Sequence, residues 1–478
     1  MRHLVAFAAV AGIAVQTIAA LPPAPPATPK PPPALPNFVL IVLDDLGYGD
    51  LPGFDPRCRN KTPTFDRMAR DGMKLTSFYA APVCSPSRAQ ALTGCYAKRV
   101  SIISALHRSV AIGLNPDEVT IAEILKSRGY ATLCVGKWHL GDQPPFLPTA
   151  QGFDHYFGPL YSNDMLGAKE EAEPLLLLRD DLPVEAVDLA GQARLTERYT
   201  EEAVKFIKAE RDRPFLLYLP HTAVHTPLHP GPRFAGKSGL GPLADWVREV
   251  DASTGRILAA LDEIGAADRT LVFVTSDNGP WLKKGESSGS PGPLRGGKNT
   301  NWEGGVRVPA IAFWPGRIPA GTVVDAPLSN VDLLPTIAGL AGGKLPQRVI
   351  DGKDIGPVLL GSTKESPHEA IYFFRGTRLE AVRSGPWKLF VDPAAGGDEF
   401  GPDPVHRKPR VLGNPVLFNL VDDIGERKDV AAKNPEVVAR MKKLIAAMDE
   451  DLGVDSQGPG VRLAGRVEEP RLLTLGKR

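Results

Sequence analysis

Four short apolar runs in this 478-residue chain end in side chains that can do chemistry. Residues 38–43 run into Asp44 and Asp45, and "ATLCV" from Ala131 leads to Lys137 and His139. "FLLYLP" from Phe215 leads to His221 and His225, and "TLVFVTS" from Thr270 to Asp277 and Asn278. Asp44, Asp45, Asp277 and Asn278 offer hard oxygen donors, which suit Ca²⁺ or Mg²⁺ rather than zinc. Two adjacent carboxylates repel each other unless a cation lies between them. Arg88, Lys137 and Lys298 add positive charge that a cation site alone does not call for. Positive groups beside a metal suit an anionic substrate group such as phosphate or sulfate.

Cys84, in "PVCSPSRAQALTG", is one of only four cysteines. By residue type alone it is open to four roles: disulfide partner, metal ligand, buried thiol or reactive centre. It lies between Pro82 and Pro86, and "SRAQALTG" reads as the start of a helix. That puts Cys84 near a helix N-terminus, where anionic species are stabilised. The histidines of "HTAVHTPLHP" are spaced by four, as zinc ligands on a helix would be, but Pro220, Pro227 and Pro230 rule out one helical face. One or two of His221, His225 and His229 are therefore loop residues without catalytic duty.

The four runs predict buried parallel strands. Helical patterns separate them. "TPTFDRMARDG" has Thr62 as cap, Pro63 at the first position and Gly72 as stop. "TIAEILKSRG" has a Thr120–Glu123 capping box. "YTEEAVKFIKAE" lines up Tyr199, Ala203, Phe206 and Ile207. This alternation predicts an α/β fold with a mostly parallel central sheet flanked by helices, in which ligands sit beyond the carboxyl ends of the strands. From about residue 362 the pattern changes. "AIYFFRG", "LEAVRSGPWKLFV" and "PVLFNLVDD" read as antiparallel strands. A closing helix, with Asn434 as cap, turns Val437, Val438, Met441, Leu444, Ile445 and Met448 inward. A smaller C-terminal α+β unit with an antiparallel sheet is expected there.

The length favours one large domain plus a smaller one. A net charge of +1 without a basic stripe excludes a nucleic-acid partner. Arg2 and His3, an apolar run, then Ala19 and Ala20 form the layout of a secretory signal peptide. No later stretch is apolar for long enough to span a bilayer. The expected organisation is a leader at 1–20, a Pro-rich linker at 21–36, a catalytic region at 37–361 and the C-terminal unit at 362–478. The protein is expected to be exported, periplasmic or secreted, without stable membrane insertion. Cys58, Cys84, Cys95 and Cys134 are irregularly spaced and form no disulfide framework.

"CSPSRAQALTG" resembles the signature of the formylglycine-dependent sulfatases, Cys-x-Pro-Ser-Arg followed by Leu-Thr-Gly, and "GYATLCVGKWHLG" resembles their second signature. "PNFVLIVLDDLGYGDL", "TSDNGP" and residues 294–316 are similar to the arylsulfatase A and N-acetylgalactosamine-6-sulfatase branch, and the likeness persists through "AVRSGPWKLF" and "LFNLVDDIGERKDV". The resemblance implies an alkaline-phosphatase-like large domain. It implies that a separate formylglycine-generating enzyme oxidises Cys84 to Cα-formylglycine, reading Pro86 and Arg88 as it does so. It further implies a divalent cation, Ca²⁺ or Mg²⁺, held by Asp44, Asp45, Asp277 and Asn278, with residue 84 as a further ligand. Lys137, Ser162, His225 and Lys298 would bind the sulfate. His225 or Lys298 would protonate the leaving alcohol, His139 would take a proton from the hydrated aldehyde, and Arg88 would orient it. The implied substrate is a sulfate ester: an aryl sulfate, a sulfated sugar or a sulfolipid.

Some features depart from the branch. The larger cysteine set of the lysosomal relatives is missing, and one Asn-x-Thr acceptor, at Asn60, is evident. Residues 166–185, expected to border the pocket, are less similar. Two other readings stand beside sulfate-ester hydrolysis. One is a formylglycine-dependent phosphodiesterase or phosphonate monoester hydrolase. The other is a non-catalytic sulfated-glycan binder with unmodified Cys84.

Overall fold

The first apolar run forms β1 (Asn37–Leu43), and its two faces feed two different cores. Phe38, Leu40 and Val42 pack into one buried cluster, Val39, Ile41 and Leu43 into another. A strand covered on both sides has no need of polar alternation, which is why the run is continuously apolar. The computed structural model describes Met1 and residues 35–165, 175–391 and 415–475. The leader beyond Met1 and nearly all of the Pro-rich linker lie outside the described residues, as do residues 166–174 of the stretch expected to border the pocket.

Further strands follow as β2 (Met73–Tyr79), β3 (Ile112–Gly113), β4 (Ala131–Val135), β5 (His155–Gly158), β6 (Leu175–Arg179) and β7 (Leu182–Val187). Then come β8 (Phe215–Pro220), β9 (Thr270–Ser276), β10 (Arg307–Phe313), β11 (Thr322–Val324) and β12 (Leu328–Ser329). The large sheet runs in the order β11-β2-β10-β9-β1-β8-β4-β5-β6-β7, with β12 beside β2. Its five central strands, β9-β1-β8-β4-β5, are parallel. Antiparallel β10 joins β9 to β2, and the antiparallel β6–β7 hairpin closes the other edge.

The helices divide between the two faces. α1 (Pro63–Asp71), α5 (Leu195–Ala209) and α6 (Pro242–Glu263) cover one face with Phe65, Met68, Tyr199, Phe206, Trp246 and Val250. α2 (Cys84–Thr93), α3 (Ile121–Lys126), α8 (Leu333–Ala341) and α9 (Gly356–Leu359) cover the other. Short α4 (Leu189–Gln192) and α7 (Glu303–Val306) lie in connections. The stripe expected on α5 is buried at all four positions. The Thr120–Glu123 capping box forms, with Thr120 N–H donating to Glu123 at 2.7 Å. Thr62 does not cap α1. The first-turn N–H groups of Thr64 and Phe65 donate instead to the Asp251 carboxylate of α6, at 3.1 and 2.8 Å.

The C-terminal strands β13 (Ile371–Arg375), β14 (Arg378–Ser384), β15 (Trp387–Phe390) and β16 (Val416–Asn419) form a separate antiparallel sheet in sequential order. Here the two-residue period matters. Val382, Leu389 and Leu417 face α10 (Pro435–Leu452), while Ala381, Phe390 and Phe418 face Tyr79, Trp302 and Val306 of the large unit. Of the inward positions expected on α10, Met441 and Ile445 are buried and the other four half-buried against the same cluster. Asn434 donates to Val430 O (2.9 Å) and does not cap the helix. The last strand, β17 (Gly465–Arg466), pairs with β3. All four cysteines are unpaired. Asn60 gives its amide to Asp50 O (2.8 Å) and Thr62 is fully buried, so the sequon is engaged in the fold. Among the described residues no helix is long and apolar enough to cross a membrane.

Glu249, buried in α6, accepts the Gly231 N–H at 2.6 Å. Burial pushes its carboxyl up to about 7, with Glu197 adding to the shift and the Gly231 bond opposing it. A raised folded pKa means that the native state holds the proton more tightly than the unfolded chain. Its stabilising contribution is thus complete below the ordinary Glu range and is lost as pH rises through about 7. Glu249→Gln is expected to flatten that part of the stability–pH curve, measured by urea midpoints across the interval. An unchanged curve would show that Glu249 ionises as an ordinary carboxylate.

Candidate active site

Cys84 is the first residue of α2, after Val83 in extended conformation. Pro86 tolerates the first turn because its missing N–H would have no helical partner there, and Gly94, at φ 69°, closes the helix in the left-handed region. Every residue of α2 is buried. Burial raises the Cys84 thiol above its ordinary value, while Lys137 and Lys298 pull the other way. A buried neutral thiol is a poor nucleophile.

The loops after β1, β4, β8 and β9 meet at one rim because those strands are parallel. Backbone bonds knit them together. Asp44 N–H donates to Ala223 O (2.8 Å), Lys137 N–H to Pro220 O (2.7 Å) and Asp277 N–H to Leu43 O (2.9 Å). Asp45, His139 and Asn299 sit at φ 60°, 64° and 71°. Such conformations in non-glycine residues are costly and persist only where surroundings enforce them. In each case the residue's own N–H is tied across the rim, to Asp277 Oδ1 (3.2 Å), Leu160 O (2.9 Å) and Pro82 O (2.9 Å) respectively.

Charges pair closely inside this rim. Lys137 Nζ donates to Asp44 Oδ2 (2.5 Å), and Lys298 Nζ to Asp45 Oδ1 (2.6 Å). Arg88 donates through Nη2 to Asp277 Oδ2 (2.7 Å) and through Nη1 to Lys137 O (2.6 Å). Asn278 Nδ2 donates to Asp45 Oδ1 (2.7 Å). Burial raises the Asp44 carboxyl, but Lys137, His225, Arg88 and Lys298 outweigh it and hold the group well below the usual carboxylate range. Asp277 is pushed up to about 6 by burial and by the Asp44 charge, against Arg88 and Lys137.

Three buried oxygens of this cluster, Asp44 Oδ1, Asp45 Oδ2 and Asn278 Oδ1, have no hydrogen-bond partner. Unsatisfied buried acceptors on an all-oxygen donor set fit a hard divalent cation. Ligand atoms of Asp44, Asp45 and His225 lie within 4.8 Å of one another. Asp277 borders this group, with one oxygen on Arg88 and the other receiving the Asp45 N–H.

The two histidines differ in tautomer. His139 Nε2 faces Leu106 O (2.9 Å), which can only accept, so Nε2 bears the hydrogen and Nδ1 is an unpartnered lone pair. Burial, with Lys137 and Arg88 nearby, lowers its pKa far below the ordinary value and keeps it neutral. His225 Nδ1 faces Thr226 O (2.6 Å) and Ser162 Oγ (3.2 Å), which leaves Nε2 toward Asp45 Oδ2 at 3.6 Å. A bare nitrogen and a carboxylate oxygen so close repel unless a proton or cation lies between them. His221 stands apart. Neither of its ring nitrogens has a partner, and burial lowers its pKa to about 3.

Trp281 escaped the sequence reading, although it directly follows "TSDNGP". Its ring lies 5.4 Å from that of His225 and 4.8 Å from Lys298 Nζ. Tryptophan carries no chemistry that spacing alone would reveal.

The sulfatase family profile matches residues 36–343, and the profile for the C-terminal region of aryl-sulfatase matches residues 366–459. The chain belongs to the sulfatase family. It is 40% identical to human arylsulfatase A, over 86% of this chain and 87% of that protein. It is 36% identical to mouse N-acetylgalactosamine-6-sulfatase, over 92% and 93%. The PsFucS1 sulfatase from Pseudoalteromonas sp. superposes with a TM-score of 0.78 at 29% identity, covering 87% of this chain and 90% of the other. The fold is thus the alkaline-phosphatase-like one of the sulfatases, and the protein is a sulfatase enzyme.

In this sulfatase Arg88 is fully buried between Asp277 and Asp44. Arg88→Met is expected to lower stability by about 3–5 kcal/mol, because removing one partner strands buried charge. Urea unfolding measures the loss, and an unshifted midpoint would show that Asp277 is satisfied without Arg88.

Proposed function

We propose that this sulfatase hydrolyses sulfate monoesters through a Cα-formylglycine made from Cys84. The reading is carried by one observation: partnerless oxygens of Asp44, Asp45 and Asn278 lie in the same buried site as two lysines that pair with those aspartates. A divalent cation, Ca²⁺ or Mg²⁺, would be held by Asp44, Asp45, Asp277 and Asn278, with residue 84 beside it, and would supply charge stabilisation to the ester oxygens. Oxidised at its side chain by a separate formylglycine-generating enzyme, residue 84 would supply, as the aldehyde hydrate, a hydroxyl that attacks sulfur.

The chain's own groups do the rest. Lys137, Lys298 and His225 hold sulfate oxygens, and Ser162 Oγ steadies the His225 ring from its Nδ1 side. Protonation of the leaving alcohol falls to Lys298 Nζ, or to His225 Nε2 where that nitrogen carries a proton. His139 Nδ1, the free lone pair, takes the proton of the second hydroxyl, which expels sulfate and restores the aldehyde. Arg88 orients residue 84 while it neutralises Asp277. The leader-like N-terminus supports export, to periplasm or medium. The substrate class is an aryl sulfate, a sulfated sugar or a sulfolipid.

Mass spectrometry of the Cys84 peptide from native-host protein, paired with turnover of aryl sulfate against phosphate diesters, tests the reading. The expected outcome is an aldehyde at residue 84 and a preference for sulfate esters. Chelation should abolish turnover, and Ca²⁺ should restore it. An unmodified thiol in an active preparation would overturn the mechanism. Faster cleavage of phosphate diesters would overturn the substrate class.

A further inference from the structure

The loop that carries Lys298 is held from two sides. On the inner side, Lys298 N–H donates to Pro280 O and Asn299 N–H to Pro82 O, both at 2.9 Å, which fastens the loop to the segment after Asn278 and to the one before Cys84. The outer side is held by the C-terminal sheet. Lys388 Nζ, on β15, donates to Asn301 O (2.7 Å) and to Glu303 Oε1 (2.8 Å). Glu380, on β14, accepts from Asn301 Nδ2 (3.0 Å). Glu426 accepts the Glu303 N–H at Oε2 (2.7 Å), and its backbone carbonyl accepts Arg295 Nη1 (2.9 Å). The Trp302 ring packs against Phe390 and Phe418, with centroids 4.4 and 6.0 Å apart.

The choice of side chains is informative. Lys388 and Glu303 are completely buried, and Lys388 lies 3.0 Å from Glu426 Oε1. Apolar residues of equal volume generally stabilise such a contact as well or better. Such a cluster resists displacement, because any shift of the loop along the sheet would strand a charge. Asn301 lies close to Lys298 in the chain, with only Asn299 and Thr300 between them.

We propose that Lys388, Glu380 and Glu426 are positioning residues that lock the 295–303 loop and so place Lys298 at Asp45. The C-terminal sheet thereby belongs to the sulfate site without touching the ester. The inference rests on the reading of Lys298 as a sulfate-holding group.

Inorganic sulfate affinity, measured by calorimetry on the full chain, tests both without needing turnover. The variants are Lys298→Ala, the charge-balanced pair Lys388→Met with Glu426→Gln, and all three changes together. The pair is expected to unfold cooperatively and to weaken sulfate by about fivefold or more, and the triple variant to bind no more weakly than Lys298→Ala, since contacts acting through one group are not additive. Full sulfate affinity in the folded pair variant, or an additive loss in the triple, would overturn the positioning role alone. Unchanged affinity in Lys298→Ala would overturn the role of Lys298 and the proposal with it. If the pair variant does not fold, Asn301→Ala, which removes the Glu380 contact and leaves the buried ion pairs intact, tests the Glu380 part of the lock, and full sulfate affinity there would overturn it.

Discussion

Three carboxylates, Asp44, Asp45 and Asp277, share a water-poor space with three cationic side chains, Arg88, Lys137 and Lys298. Any one of these charges alone in that space would destabilise the fold by several kcal/mol. Their mutual pairing is therefore the constraint to which the surrounding architecture answers. The six charges sit on five segments, with Asp44 and Asp45 sharing the one after β1, so pairing them requires β1, β4, β9, α2 and the 295–303 loop to arrive together. The pairing also limits what the site can accept. A divalent cation on the partnerless oxygens of Asp44 and Asp45 would weaken their hold on the lysines, and lysines so freed would suit an anionic ester. A cation and an anion entering together would preserve the balance better than either alone.

The parallel sheet meets this constraint through its topology. Parallel strands end at the same edge, so loops distant in the chain converge there without long connections. The rim loops then stiffen one another through cross-rim backbone bonds, and these bonds hold Asp45, His139 and Asn299 in the left-handed region. The strain in those residues is borne by a core that both faces of β1 help to build. Site and core are thus coupled. The residues that aim side chains into the site follow directly on the strand that organises the packing.

The antiparallel sheet has a different logic. Its alternation serves two surfaces at once, α10 on one face and the Trp302 loop on the other. A tethered accessory unit would need only the first. The second face buries charge against that loop, and this pairing is lost if the loop shifts along the sheet.

Four of the five central strands (β1, β4, β8 and β9), the placement of Cys84 at a helix start and the polar residues at the strand ends were legible in the chain, because local periodicity and neighbouring residue types encode them. The stripe of α5 and the capping box of α3 were equally local. Other features depended on distant partners. Asp251, rather than Thr62, satisfies the start of α1 from 186 residues away, and the pairing of antiparallel β10 between β9 and β2 leaves no local mark. The tautomer of His139 follows from the Leu106 carbonyl, brought up by a separate loop. Trp281 gained its place from proximity to His225 and Lys298, and Glu303 found Lys388 at a separation of 85 residues. The sequence by itself determined which groups can do chemistry and which strands must be buried, since both are properties of residue type and short-range order. Only the tertiary structure decided which charge neutralises which, because buried electrostatic partners are chosen by distance in space and not along the chain.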